Sequence, residues 1–122
     1  MLFLKINEVT KKYGVSPATL RYYEEINLLP EIARVSGSRW YCEQDLKRLE
    51  FIFCMKDSNM SLEKIKDYFN LIDQGDTTLQ ARLDLLVQHK EETANLMRRI
   101  QSSLDYIDYK IELTESSIVQ LS

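Results

Sequence analysis

From Leu79 to Leu121 the chain contains neither glycine nor proline. Within that stretch Leu79, Leu83, Leu86, Lys90, Thr93, Met97, Ile100, Leu104, Ile107, Ile111, Thr114, Ile118 and Leu121 follow one another in alternating steps of four and three. This is the heptad spacing of a coiled-coil seam. A continuous helix over the span is roughly 65 Å long at about 1.5 Å per residue. The shorter segment before it cannot cover a stripe of that length, so the pattern calls for a partner helix, most simply the same helix of a second copy. The expected dimerisation contacts are Leu79, Leu83, Leu86, Met97, Ile100, Leu104, Ile107, Ile111, Ile118 and Leu121. Lys90, Thr93 and Thr114 interrupt the seam with polar groups that lower stability and set register.

All three glycines and both prolines lie ahead of that helix, and they punctuate the front into short pieces. Ile6 to Gly14 reads as a two-turn helix with Asn7 as cap and Gly14 as stop. Ser16-Pro17 restarts a helix that runs to about Ile26, since Ser16 accepts from orphan N–H groups and Pro17 suits the first helical position. Two short helices joined by Gly14-Val15-Ser16 have the grammar of a helix-turn-helix. Leu20 and Tyr23 share the inner face of the second helix with Val9, Val15, Leu28 and Leu29 as core partners, which leaves Thr19, Arg21 and Tyr22 facing out. Ile32 to Val35 and Arg39 to Tyr41, separated by Ser36-Gly37-Ser38, read as a two-stranded wing. Residues 43–58 form a third helix with a stripe of Leu46, Leu49, Ile52 and Phe53. A fourth is capped by Ser61, carries Leu62, Ile65, Phe69 and Ile72, and ends at Gly75. The expected class is therefore mainly α: a winged helix-turn-helix head over residues 1–75, including the helix pair, and a coiled-coil dimerisation helix over residues 76–122.

Composition narrows the function classes. No window approaches the ~18 apolar residues of a membrane span, and Met1-Leu2-Phe3-Leu4-Lys5 is too short for a signal peptide, so the expected compartment is the cytoplasm with no membrane partner. Cys42 and Cys54, with His89 far downstream, offer neither a disulfide framework nor a zinc spacing, and no metal is expected. No Ser/His/Asp, Cys/His or metal constellation converges, which argues against an enzyme, and no glycine-rich phosphate loop is present. The net charge is −3, from 16 Lys plus Arg against 19 Asp plus Glu. The front nevertheless carries Lys5, Lys11, Lys12, Arg21, Arg34 and Arg39 against Glu8, Glu24, Glu25 and Glu31, a local +2 over residues 1–41, while residues 76–122 total −3. Nonspecific attraction to nucleic acid should thus be weak, and binding would depend on a two-headed dimer and a deformable site.

The run Gly14-Val15-Ser16-Pro17-Ala18-Thr19-Leu20-Arg21-Tyr22-Tyr23-Glu24 with Leu28-Leu29-Pro30 closely resembles the MerR family of bacterial transcription regulators. The resemblance continues through Gly37-x-Arg39-x-Tyr41, Asp45-Leu46-x-x-Leu49, Phe51-Ile52 and Met60-Ser61-Leu62-x-x-Ile65-Lys66. It is close over about the first 70 residues and architectural beyond them. It implies a dimer with no cofactor, whose second helix enters the major groove of double-stranded promoter DNA, whose wing grips the adjacent backbone, and whose long helices pair antiparallel. Such a dimer distorts an overlong promoter spacer so that RNA polymerase engages both recognition elements. On this basis Arg21 and Tyr22 reach bases or phosphate, Ser16, Ala18 and Thr19 allow close backbone approach, and Thr10, Lys12, Arg39 and Tyr41 lie over phosphates. An isolated arginine is ordinarily a solvated surface charge; the motif lifts Arg21 and Arg39 above that. Ser38 stands where many members have tyrosine, with Trp40 as an alternative apolar contact.

Metal-responsive members place cysteines at the start of the long helix and in a loop near its end, whereas here no cysteine follows Cys54, and drug-sensing members add a further domain that is not expected beyond Ser122. The setting of Cys54, Phe51-Ile52-Phe53-Cys54-Met55-Lys56, resembles the aldehyde- and thiol-stress-responsive, NmlR/AdhR-like subgroup. The resemblance makes Cys54 the effector-sensing candidate, because a thiolate can add to an electrophilic carbonyl. A cysteine packed between phenylalanines also needs no function, and Cys42 reads as structural. The alternatives are a regulator with another effector or none, and a coiled-coil adaptor that does not bind DNA.

Overall fold

A computed structural model describes residues 3–122. The chain runs β1 (Phe3–Lys5), α1 (Ile6–Tyr13), α2 (Pro17–Glu25), β2 (Ala33–Val35), β3 (Ser38–Cys42), α3 (Glu43–Asp57), α4 (Leu62–Asp73), a 3₁₀ turn over Asp76–Thr78, and α5 (Leu79–Leu121). Helix α1 starts one residue before the expected Asn7 cap. Glu8 Oε1 reaches back to accept from Lys5 N at 3.0 Å, and Asn7 Oδ1 accepts from Glu8 N at 3.0 Å. Gly14 ends α1 in the left-handed region, φ 63°, with its N–H donated to Thr10 O; a Cβ is disfavoured there, which is why glycine stands at the turn. Ser16 Oγ then accepts from Thr19 N at 3.1 Å and opens α2 with Pro17 at its first position.

The wing is a three-stranded antiparallel sheet in the order β1-β3-β2. Ser36 and Gly37 alone make the hairpin turn, with φ values of 52° and 82°, the two positive angles that match the twist of the flanking strands. Ser38, expected in the turn, instead pairs with Val35 in the ladder. Strand β1 was not anticipated: Phe3, Leu4 and Lys5 pair with Cys42, Tyr41 and Trp40.

Beneath the sheet, Val9, Leu20, Tyr23, Leu28, Leu29, Ile32, Tyr41, Leu46, Leu49, Ile52, Met60, Ile65 and Phe69 form one buried core. Phe53 and Leu62, expected within it, are half-buried, and Ile72 is exposed. Helices α3 and α4 are joined by the Phe51–Tyr68 stack at 4.5 Å and by an Arg48–Asp73 ion pair at 2.7 Å. Lys66 Nζ donates to Ile26 O at 2.8 Å, satisfying a carbonyl at the exit of α2.

The chain divides into two compact units, one through Arg82 and one from Leu83 to Ser122. The division falls after the first turn of α5 because Arg82 is tied to the turn before it, through Nε to Thr78 Oγ1 at 3.1 Å and Nη2 to Gly75 O at 3.2 Å. In the second unit Leu83, Met97, Ile100, Leu104, Ile107, Ile111, Ile118 and Leu121 are 48–89% exposed, and Leu86 is half-buried. Tyr106, Tyr109 and Leu113 are exposed too; at their spacing they lie on the helix side away from the seam. No helix among the described residues is long and apolar enough to cross a membrane.

Candidate nucleic-acid interface

The second helix separates its faces sharply. Leu20 and Tyr23 are sealed in the core, whereas Arg21 and Tyr22 point outward, Tyr22 being 48% exposed. Among the described residues neither Arg21 nor the Tyr22 hydroxyl has an ion pair or hydrogen bond. Ser16 and Ala18 are exposed at the start of α2 and Thr19 is half-buried, its Oγ1 2.9 Å from Ser16 Oγ. Pro17 has no N–H and Thr19 N is bonded to Ser16 Oγ, so the short side chains here leave the Ala18 N–H, at the helix end that favours anions, open to approach. On α1, Lys12 is exposed with Nζ 5.4 Å from the Tyr13 ring centre. Thr10 is half-buried, and its hydroxyl proton is committed to Asn7 O at 2.8 Å.

A concavity of about 390 Å³ lies beside the start of α2, lined in part by Ser16, Thr19, Tyr23, Phe53 and Lys56. Lys56, which sequence reasoning did not select, is exposed and donates through Nζ to the Tyr23 hydroxyl at 3.2 Å. Only the packing of α3 brings this cation to the turn; along the sequence it is one more helix-surface lysine. Tyr13, which also lines this concavity, donates to Glu50 Oε1 at 2.9 Å, and burial followed by the Glu50 contact pushes its pKa up to about 12.

The wing differs from expectation at two positions. Tyr41, expected over phosphate, is wholly buried: β3 turns its ring into the core, and among the described residues its hydroxyl meets no hydrogen-bond partner. Burial first, then the Glu24 carboxylate, pushes its pKa up to about 12. It is therefore a core residue of the wing's base and cannot reach a phosphate from that position. Arg39 is not a free cation: its Nε donates to Glu24 Oε1 at 2.9 Å, with side chains 19% and 13% exposed. Two further cations belong to the wing. Arg34 is exposed directly across the hairpin from Arg39, and strand β1 sets Lys5 Nζ 5.1 Å from the Trp40 ring centre.

Cys54 lies exposed on α3, not packed away between Phe51 and Phe53, and Cys42 is half-buried at the N-cap of the same helix, where its N–H donates to Asp45 Oδ2 at 2.9 Å. Among the described residues no three His, Cys, Asp or Glu side chains gather to hold a metal ion.

Known proteins resemble this chain along the same elements. Residues 4–72 match the MerR HTH family regulatory protein model, and residues 46–109 match the model described as MerR, DNA binding. The HTH-type transcriptional regulator AdhR of Bacillus subtilis is 40% identical over 89 residues, a match covering 72% of this chain and 64% of that protein, so the chain spans just under two thirds of that relative. A MerR family transcriptional regulator from Bacillus thuringiensis superposes with a TM-score of 0.82 at 32% identity, covering 90% of this chain and 97% of the other. HiNmlR, a MerR family regulator lacking the sensor domain and solved bound to promoter DNA, gives a TM-score of 0.85 at 28% identity, covering 94% and 92%. Because the family match runs unbroken through the helix-turn-helix, the wing and the helix pair, the chain belongs to the MerR family of DNA-binding transcriptional regulators.

Proposed function

We propose that this regulator acts as a homodimer on promoter DNA in the bacterial cytoplasm, by binding alone and without chemistry on a substrate. The observation that carries the reading is the split of α2, sealed on one side by Leu20 and Tyr23 and open on the other at Arg21 and Tyr22. In the major groove, Arg21 would donate to a guanine edge or phosphate and Tyr22 to a phosphate oxygen. Ser16, Ala18 and Thr19 bring the helix N-terminus close, with Lys12 and Thr10 on one flank, Lys56 on another, and Arg39 with Arg34 on the wing. Two long helices paired antiparallel along Leu83 to Leu121 cover the exposed seam and set the distance between heads. The dimer would bend and untwist an overlong spacer, so that binding energy offsets DNA deformation and RNA polymerase engages both promoter elements.

For the signal we propose an electrophilic aldehyde at Cys54. The thiolate adds to the carbonyl carbon, solvent protonates the resulting oxygen, and the product is a hemithioacetal; the exposure of Cys54 supports access. An aldehyde-dependent rise in transcription that persists in Cys54→Ala would remove this residue from the mechanism.

The test of DNA binding is fluorescence anisotropy with a labelled duplex taken from immediately upstream of the protein's own coding region. Affinity should fall by about 10³-fold or more between 50 and 200 mM salt if ~6 phosphates are contacted. Arg21→Ala should weaken it by roughly tenfold or more, as for one base or phosphate contact. Salt-insensitive binding, or none, would favour a coiled-coil adaptor.

A further inference from the structure

We propose that Glu24 is a positioning residue for DNA binding: its bond to Arg39 locks the wing to the last turn of α2 and aims the wing's cations at the duplex backbone. This rests on the DNA-binding reading above and assigns a role to an acid that bulk electrostatics would count against it.

Register explains why the lock is needed. Arg34 and Arg39 are direct cross-strand partners, so their side chains share a face of the hairpin, where like charges repel. Tyr41 lies two residues beyond Arg39 on the same strand and therefore points the same way, into the core. That face of the wing thus rests on the head at Tyr41 and meets α2 at Arg39. Glu24, on the final turn of α2, accepts from Arg39 Nε at 2.9 Å with both side chains largely buried. The pair neutralises one of two facing arginines and spans helix and strand. A guanidinium has five N–H donors in a fixed plane, and the bond to Glu24 occupies only Nε. At 19% exposure the Arg39 side chain still reaches the surface, so its outer nitrogens are held where a phosphate can meet them, beside an exposed Arg34.

Positioning and bulk charge predict opposite orders of affinity. Glu24→Gln keeps an acceptor oxygen for Nε while removing a negative charge; Glu24→Asp keeps the charge but withdraws the oxygen by one methylene. Full-length variants are titrated against the same labelled upstream duplex over a series of salt concentrations, with thermal melting recorded in parallel. Positioning predicts that Glu24→Gln stays within about twofold of the unsubstituted protein, while Glu24→Asp binds about tenfold more weakly, as expected for loss of one charge-assisted contact. Its slope of log affinity against log salt should fall by about one, a change that partial unfolding does not produce. Arg39→Ala should weaken binding similarly, and Glu24→Asp with Arg39→Ala should be no weaker than Arg39→Ala alone. Tighter binding by Glu24→Gln together with an unchanged Glu24→Asp would overturn the proposal in favour of a simple field effect. Additive losses in the double variant would overturn it as well. An unsubstituted chain without salt-dependent duplex binding would overturn the DNA-contact reading and this inference with it.

Discussion

The two units spend their apolar residues in opposite ways. In the head, Val9, Leu20, Leu49, Ile52 and Ile65 are completely buried within one chain. In the long helix, Ile100, Leu104, Ile107 and Ile111 are about half exposed at heptad spacing. A helix with such a stripe gains little from folding alone, because an isolated helix in water is held mainly by the packing of its apolar face. The head carries its own core and can form its α2 surface as a monomer; the helix acquires a core only when a second helix covers it. In the proposed homodimer the contrast would separate two requirements for reading a promoter: one unit shapes a single head, and the other would recruit a second.

The largest effect should come from the middle of the seam. Leu104→Glu combined with Ile107→Glu places four carboxylates at a two-helix contact, and sedimentation velocity should report monomers at micromolar concentration. Affinity for the upstream duplex should fall by about 10² or more, the usual loss when two linked contacts become one, while cooperative melting of the head persists. A variant that remains dimeric would break the comparison, because the exposed stripe would then not be the interface. Leu49→Ala probes the other unit. It should cost about 2 to 5 kcal/mol of head stability through lost burial and a residual cavity, seen as a lower melting temperature, and leave the seam intact.

The elements that could be read from the sequence are those whose causes are local. Gly14, Ser16 and Pro17 mark a helix stop and restart because αL backbone, side-chain capping and a missing N–H act within a few residues. The α5 seam is legible because a period repeats over six heptads. Strand β1 has three residues, too few for any period, and it exists only through pairing with β3 more than thirty residues later. At the interface, helix periodicity separates Arg21 and Tyr22 from Leu20 and Tyr23. Strand alternation puts Arg39 and Tyr41 on one face but does not say which face meets the core; tertiary packing buries Tyr41 and hands Arg39 to Glu24. Lys56 escaped for the same reason, since its place beside α2 depends on how α3 docks.

A smaller effect tests the capping that gives α2 its start. Ser16→Ala removes the acceptor for Thr19 N and should cost about 1 kcal/mol, within the range for lost N-caps, measured as a modest drop in the head's melting temperature with no change in oligomeric state. The pairing of seam helices should be indifferent to it, which sharpens the independence of the two units.

At neutral pH the smallest effect belongs to Tyr41→Phe, and its sign discriminates between a core and a contact residue. The buried hydroxyl has no partner among the described residues, so its removal should leave stability unchanged or raise it by about 1 kcal/mol, with duplex affinity within about twofold. A large loss of affinity would return Tyr41 to the DNA surface. Alkaline melting adds a second readout. The Tyr41 pKa is pushed from 10.0 up to about 12 in the folded chain. Between those values the unfolded chain has lost the proton that the folded chain retains, so head stability is undiminished below pH 10 and falls as pH rises toward 12. The loss from this one group is at most about 2 to 3 kcal/mol, and Tyr41→Phe should remove it. Tyr13, raised to about 12 as well, keeps its share of the alkaline loss in that variant. The melting curve of Tyr41→Phe should therefore remain pH-dependent above 10 but be shallower than that of the unsubstituted protein; an unchanged slope would mean that the Tyr41 hydroxyl reaches water.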